Sequence, residues 1–140
     1  MSDDLKGTVQ RFYDELNKGN LDIIDEVLSE DFVDHEEFPG LEPNREGVKQ
    51  FFAMFRAAFP DLRMEADDMV AEGDRVVARL TARGTHQGDF MGMPPSGKAV
   101  EVAVYDMLRF EDGKVAEHWG LFDAMTMMQQ LGAIPEQAPA

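Results

Sequence analysis

The stretch Val100–Asp123, VEVAVYDMLRFEDGKVAEHWGLFD, holds two apolar-alternating runs on either side of Asp112-Gly113. Period-2 alternation marks a half-buried strand, and Asp-Gly between two such runs is a strong hairpin signal. With a two-residue turn, Glu111 pairs with Lys114, Phe110 with Val115, Asp106 with Trp119 and Val102 with Asp123. One face then carries Val102, Val104, Asp106, Leu108 and Phe110 beside Val115, Glu117, Trp119, Leu121 and Asp123. Three carboxylates are out of place on so apolar a face, because burying one without a partner is costly or raises its pKa. The opposite face holds Ala103, Tyr105, Met107 and Arg109 with Ala116, His118, Gly120 and Phe122, a mixed surface suited to a second subunit. A bulge would exchange the faces of one strand and bring Glu117 towards Arg109.

Upstream, LRMEADDMVAEG and DRVVARLTARGTH read as two more strands joined around Glu72-Gly73-Asp74, and QGDFMGMPPSGK is a long irregular loop between the hairpins. Before Pro60 the period is 3.6. Leu5, Val9, Phe12 and Leu16 predict a helix capped by Ser2, with Asp3 and Asp4 in its first turn and Gly19 as its stop. LDIIDEVLSE predicts a second short helix, and DFVDHEEFPG a short extended piece and turn. Asn44 opens a third helix with Val48, Phe51, Phe52, Phe55 and Phe59 on its inner side, and Pro60 ends it. DAMTMMQQLG closes the chain as a helix stopped by Gly132. Helices followed by an antiparallel sheet predict a single α+β domain over residues 1–132, with a C-terminal tail over 133–140.

Composition narrows the chemistry. The 140 residues carry 28 Asp+Glu against 13 Lys+Arg, a formal charge of −15, which repels phosphate backbones and anionic lipid, so neither nucleic acid nor membrane is expected as a partner. There is no cysteine, which removes disulfides, thiolate zinc sites and a cysteine nucleophile. His35, His86 and His118 stand far apart with no metal-ligand spacing, so no metal site is expected. The acidic start MSDDLKGTVQ has no signal-peptide core and no window is long enough to span a membrane, which leaves a soluble cytoplasmic protein as the expectation.

Several segments together resemble a known family. GTHQGDFMGMPPSGKAV, LRFEDGKVAEHWGLFD and QQLG, with RFYDELNKGN, FVDHEE and FRAAFPDL in the first half, are similar to the SnoaL-like polyketide cyclase pattern over nearly the whole chain. The resemblance implies the nuclear-transport-factor-2-like cone, in which a strongly curved sheet wraps the helices and encloses an apolar pocket. It also implies cofactor-independent ring closure of a small hydrophobic carbonyl compound by aldol chemistry, with one aspartate as general acid/base, and a homodimer formed through the outer sheet face. The aspartate at the matching position is Asp123, although Asp123 also precedes a predicted helix, where aspartate is a favoured N-cap.

The other candidates divide in the same way between packing and function. His35 and His86 match positions that face the pocket mouth in the family, yet a histidine among apolar neighbours is commonly a hydrogen-bonded core residue. Tyr13 either packs with a wet hydroxyl or positions a substrate oxygen. Trp119 serves as core and pocket wall, Asp106 is the second acid/base candidate, and Phe90 in Phe90-Met91-Gly92-Met93 is a candidate pocket lip. One carboxylate with histidines also suits an isomerase, dehydratase, epoxide hydrolase or hydroxylase-like enzyme, and the fold also serves non-catalytic small-molecule binding.

Overall fold

The computed structural model describes residues 2–36 and 38–134, the side chains of Ser2 and Asp3 excepted, so the cap expected of Ser2 and most of the expected tail lie outside the described residues. The chain runs α1 (Ser2–Asn17), α2 (Ile23–Val27), β1 (Leu28–Asp34), α3 (Arg45–Ala58), β2 (Arg63–Glu72), β3 (Arg75–Thr85), β4 (Ala99–Glu111), β5 (Lys114–Phe122) and α4 (Ala124–Leu131). The strands form one curved, unclosed sheet in the order β1-β5-β4-β3-β2. α1 buries Val9, Phe12, Tyr13 and Leu16, and α3 buries Phe52, Phe55 and Ala58, as the 3.6 period requires. Asn44 caps α3 by accepting the Gly47 N–H at 2.9 Å.

One expected helix is half strand. LDIIDEVLSE helps form only the five-residue α2, and from Leu28 the chain extends as β1, which pairs parallel with β5. The helical spacing of Leu21, Ile24, Val27 and Leu28 is real, but Leu28 and Phe32 gain more by lying against the sheet. This parallel pairing joins residues about 85 positions apart, with Asp34 beside His118, and so brings Asp34 and Glu36 to the sheet's inner face.

The last hairpin has the expected turn and a different ladder. Asp112 and Gly113 sit at φ 52° and 81°, the two positive angles of a type I′ turn, and Glu111 pairs with Lys114 and Phe110 with Val115. The register then shifts, and Arg109 pairs with Glu117, Leu108 with His118, Met107 with Trp119 and Asp106 with Gly120. Ala116 is the extra residue of a bulge, buried like its neighbour Val115. β4 keeps the predicted alternation, with Val100, Val102, Val104, Asp106, Leu108 and Phe110 buried. β5 is inverted beyond the bulge. His118, Gly120 and Phe122 join the inner face, while Glu117, Trp119 and Leu121 turn outward.

Candidate active site

The inner sheet face, α1 and α3 enclose an apolar cavity of about 520 Å³. Its wall is mostly apolar and rich in phenylalanine, with Phe12, Phe32, Phe38, Phe51, Phe55 and Phe122, and Pro39, Leu41, Glu42 and Pro43 from the β1–α3 connection also line it. Against this wall four polar side chains converge: Tyr13 from α1, Asp106 from β4, His118 from β5 and Glu36 just after β1. An apolar concavity with a few convergent polar groups is the usual form of a small-molecule site.

The polar groups form a chain. The Tyr13 hydroxyl donates to Asp106 Oδ2 at 2.6 Å, and His118 Nε2 lies 2.7 Å from Asp106 Oδ1. On its other side His118 Nδ1 lies 2.9 Å from Asp34 Oδ1, and that oxygen also accepts the Glu36 backbone N–H at 2.9 Å. Burial disfavours charge on the imidazole, but the hydrogen bonds and negative charges of Asp106 and Asp34 outweigh it and raise the His118 pKa to about 10. At neutral pH both ring nitrogens therefore carry protons and both donate, one to each aspartate. The imidazolium is the countercharge that lets two carboxylates remain in an apolar interior. Tyr13 is held well above its ordinary pKa, first by burial and then by Asp106, so it stays a neutral donor.

Glu36 is different in kind. Its carboxyl accepts no hydrogen bond among the described residues, and its nearest charged partner is His118 Nε2 at 3.9 Å. Burial, with Asp106 and Asp34 adding repulsion, overcomes the attraction of His118 and raises its pKa to about 7. Gly120 makes the gathering possible. A Cβ there would overlap Glu36 Oε1 and stand 2.7 Å from both Asp106 Oδ1 and His118 Cε1. Glu36, Asp106 and His118 each offer a metal-ligand atom within 4.8 Å of the others, although His118 has no free lone pair while both nitrogens hold protons.

Of the residues singled out from sequence, Tyr13 and Asp106 line this cavity. Asp123 does not. It is exposed beyond the end of β5, accepts Thr126 N–H at 3.1 Å and Thr126 Oγ1–H at 2.7 Å, and so caps α4, which Gly132 ends at φ 79°. Those bonds hold its pKa below the usual value. Trp119 lies outside as well, stacked on the exposed His35 ring at 4.7 Å with the Arg75 guanidinium 5.3 Å above it. His35 and Glu117 are bonded there at 2.7 Å, and Glu117 also takes the Arg109 Nε–H at 2.6 Å. The inner placement expected of Asp123, Trp119 and Glu117 failed for one reason, the bulge at Ala116.

His86 and Phe90 are buried behind the cavity, not in its wall. His86 packs on Phe59 and takes the Ser96 hydroxyl at 2.9 Å, and Phe90 fills space beside Phe55 and Phe59. His118, expected on the outer face, lies on the inner one, and Asp34 and Glu36 are site residues that the sequence reading did not single out. Adjacent apolar Val115 and Ala116, followed by a glutamate opposite Arg109, were the available signal for the bulge. Nothing local announces that β1 lies parallel to β5.

The fold and cavity define a class: a helix-and-curved-sheet protein that presents an aspartate and a protonated histidine to an apolar chamber. A model of the SnoaL-like polyketide cyclase family matches residues 7–131, and the chain belongs to that family. It is 28% identical over 118 residues to nogalonic acid methyl ester cyclase of Streptomyces nogalater, covering 83% of this chain and 88% of that one. Among solved structures, TsrD of Streptomyces laurentii superposes with a TM-score of 0.84 at 31% identity, covering 93% of this chain and 96% of that one. AclR of Streptomyces galilaeus, provisionally assigned as a hydroxylase, gives 0.89 at 32%, covering 99% and 87%. No helix among the described residues is long and apolar enough to cross a membrane.

Proposed function

We propose that this chain is a cyclase that closes a ring in a small hydrophobic polycarbonyl compound by intramolecular aldol addition, with Asp106 as the general base. The observation that supports it is the chain Tyr13–Asp106–His118–Asp34 set into the wall of a phenylalanine-rich cavity. Tyr13 and His118 hold the two oxygens of Asp106 in place, and each oxygen keeps a lone pair for a substrate proton. Asp106 removes a proton from a CH₂ activated by a neighbouring carbonyl, the resulting enolate attacks a second carbonyl, and the phenylalanine wall folds the substrate so that the two carbons meet. Proton movement and a new C–C bond within one molecule need no co-reactant. Asp123 is left as a helix cap in this reading, because it stands away from the cavity wall.

The test uses nogalonic acid methyl ester, the compound that the relative's name supplies. Asp106→Asn keeps the shape and removes the base, and turnover should fall by about 10²-fold or more, while Asp123→Asn stays within about threefold of wild type. Equal turnover by wild type and Asp106→Asn removes the base assignment. The likeness to AclR favours a second reading, proton abstraction from the same compound class followed by hydroxylation of the carbanion with molecular oxygen, an added two-electron reductant taking the second oxygen atom to water. Product mass separates the two, since cyclisation leaves it unchanged and hydroxylation adds one oxygen.

A further inference from the structure

The aldol reading leaves one group of the cavity unused. Glu36 is a half-buried acid there whose carboxyl has no hydrogen-bond partner among the described residues, and Asp34, Asp106, His118 and Tyr13 all bear on it. Three carboxyls surround a single imidazolium. With all of them ionised the enclosure would hold two uncompensated negative charges, whereas a proton on Glu36 leaves one. Glu42, from the β1–α3 connection, is the remaining acid in the cavity wall and adds to the same pressure, and Arg83 is a basic group there, already paired with Glu65 and Glu101 at 2.7 Å. Gly120 keeps the space between Glu36 Oε1 and Asp106 Oδ1 open, with a carboxyl oxygen of Glu36 and one of Asp106 within 4.8 Å of each other. A neutral carboxyl and a carboxylate thus meet at one wall of the cavity, with the His118 ring beside both, its Nε2 2.7 Å from Asp106 and 3.9 Å from Glu36.

Resting on the aldol reading, we propose that Glu36 is the catalytic acid of the pair, donating its proton to the carbonyl oxygen of the electrophile while Asp106 takes the proton from carbon. The balance is as follows. The substrate C–H bond breaks, its proton goes to Asp106 and its electron pair becomes the enolate. The enolate carbon bonds to the electrophilic carbonyl carbon, the C=O π pair moves to oxygen, and that oxygen takes the Glu36 proton to become a hydroxyl. The proton on Asp106 then returns to Glu36, so the reaction is an isomerisation with no net proton exchanged. Glu36 directs which carbonyl is attacked, because only a carbonyl oxygen placed beside it is neutralised as the bond forms. The substrate class is accordingly narrowed to compounds whose nucleophilic CH₂ and electrophilic carbonyl both reach the Gly120 side of the cavity.

The experiment has two arms on the full chain. In the first, the carboxyl carbons of the glutamates are isotope-labelled and titrated by NMR in wild type and Glu36→Gln. The resonance lost in the variant should titrate near neutrality. If it titrates as an ordinary glutamate, Glu36 is ionised at working pH and the acid role is overturned, whether or not any substrate turns over. In the second, kcat and KM for nogalonic acid methyl ester are followed across pH. Wild-type kcat should decline above about pH 7 as Glu36 loses its proton, and Glu36→Gln should lose about 10²-fold in kcat and that alkaline limb, with KM within about threefold. A kcat and pH profile unchanged in Glu36→Gln overturn the proposal, whereas an unchanged Asp106→Asn overturns the aldol reading beneath it.

Discussion

Replacing Glu36 with glutamine should make the protein more stable at pH 8 than at pH 4 relative to wild type, and the size follows from the cavity. A carboxyl raised from 4.5 to about 7 by burial holds its proton more tightly folded than unfolded. Between those pH values the native state binds more protons than the unfolded state, so wild-type stability falls as pH rises. Below pH 4.5 both states are protonated and the term vanishes; above about 7 it is complete. At roughly 1.4 kcal/mol per pH unit the ceiling is about 3 kcal/mol. Glu36 keeps 22% of its side chain exposed, so screening brings the expectation to about 2 kcal/mol. Glutamine has nearly the same shape and no charge to desolvate. Urea unfolding of both proteins at pH 4, 5, 6, 7 and 8 gives the difference curve, in which the many surface carboxylates cancel. A flat difference across that range would refute the reasoning, for it would mean that Glu36 ionises in the cavity without penalty.

Three further outcomes follow from named contacts. Gly120→Ala should destabilise by about 1–3 kcal/mol and lose most turnover, because the new Cβ overlaps Glu36 and crowds Asp106 and His118; an unchanged melting temperature would contradict the packing of that wall. Asp123→Ala should cost about 1 kcal/mol, a melting shift of about 3–5 °C, through loss of the Thr126 bonds of the α4 cap, and calorimetry on the variant decides it. Tyr105 and Leu121, paired on the outer sheet face and both well exposed, support the expected homodimer. Wild type should then sediment at twice 15.7 kDa and Leu121→Arg at 15.7 kDa, while a monomeric wild type would end that reading.

Periodicity alone carried the architecture. The switch from 3.6 to 2 after Pro60, the Asp112-Gly113 turn, the Asn44 cap and the alternation of β4 are local signals, and a local signal survives folding because the same backbone geometry that sets it also buries it. Asp106 was legible for that reason: an acid in an otherwise apolar alternating strand must find partners. The partners were not legible. Tyr13 is 93 residues away in the chain and Asp34 is 84 residues from His118, and each pairing depends on where helix and sheet settle against one another.

The sequence by itself determined an acidic α+β domain, its hairpin, its aromatic inner helix and an aspartate facing inward. The tertiary structure decided which carboxylates share the cavity. One inserted residue at Ala116 reversed β5, sending Trp119 and Glu117 outward and His118 inward, and left Asp123 to cap a helix. A strand's side chains alternate, so a single added residue changes every one beyond it; that choice is made by packing against the neighbouring strand, and adjacent Val115 and Ala116 are its trace in the strand's own sequence. The site then arises from residues that no local pattern connects, held together because buried charges are stable only where the fold brings their partners to them.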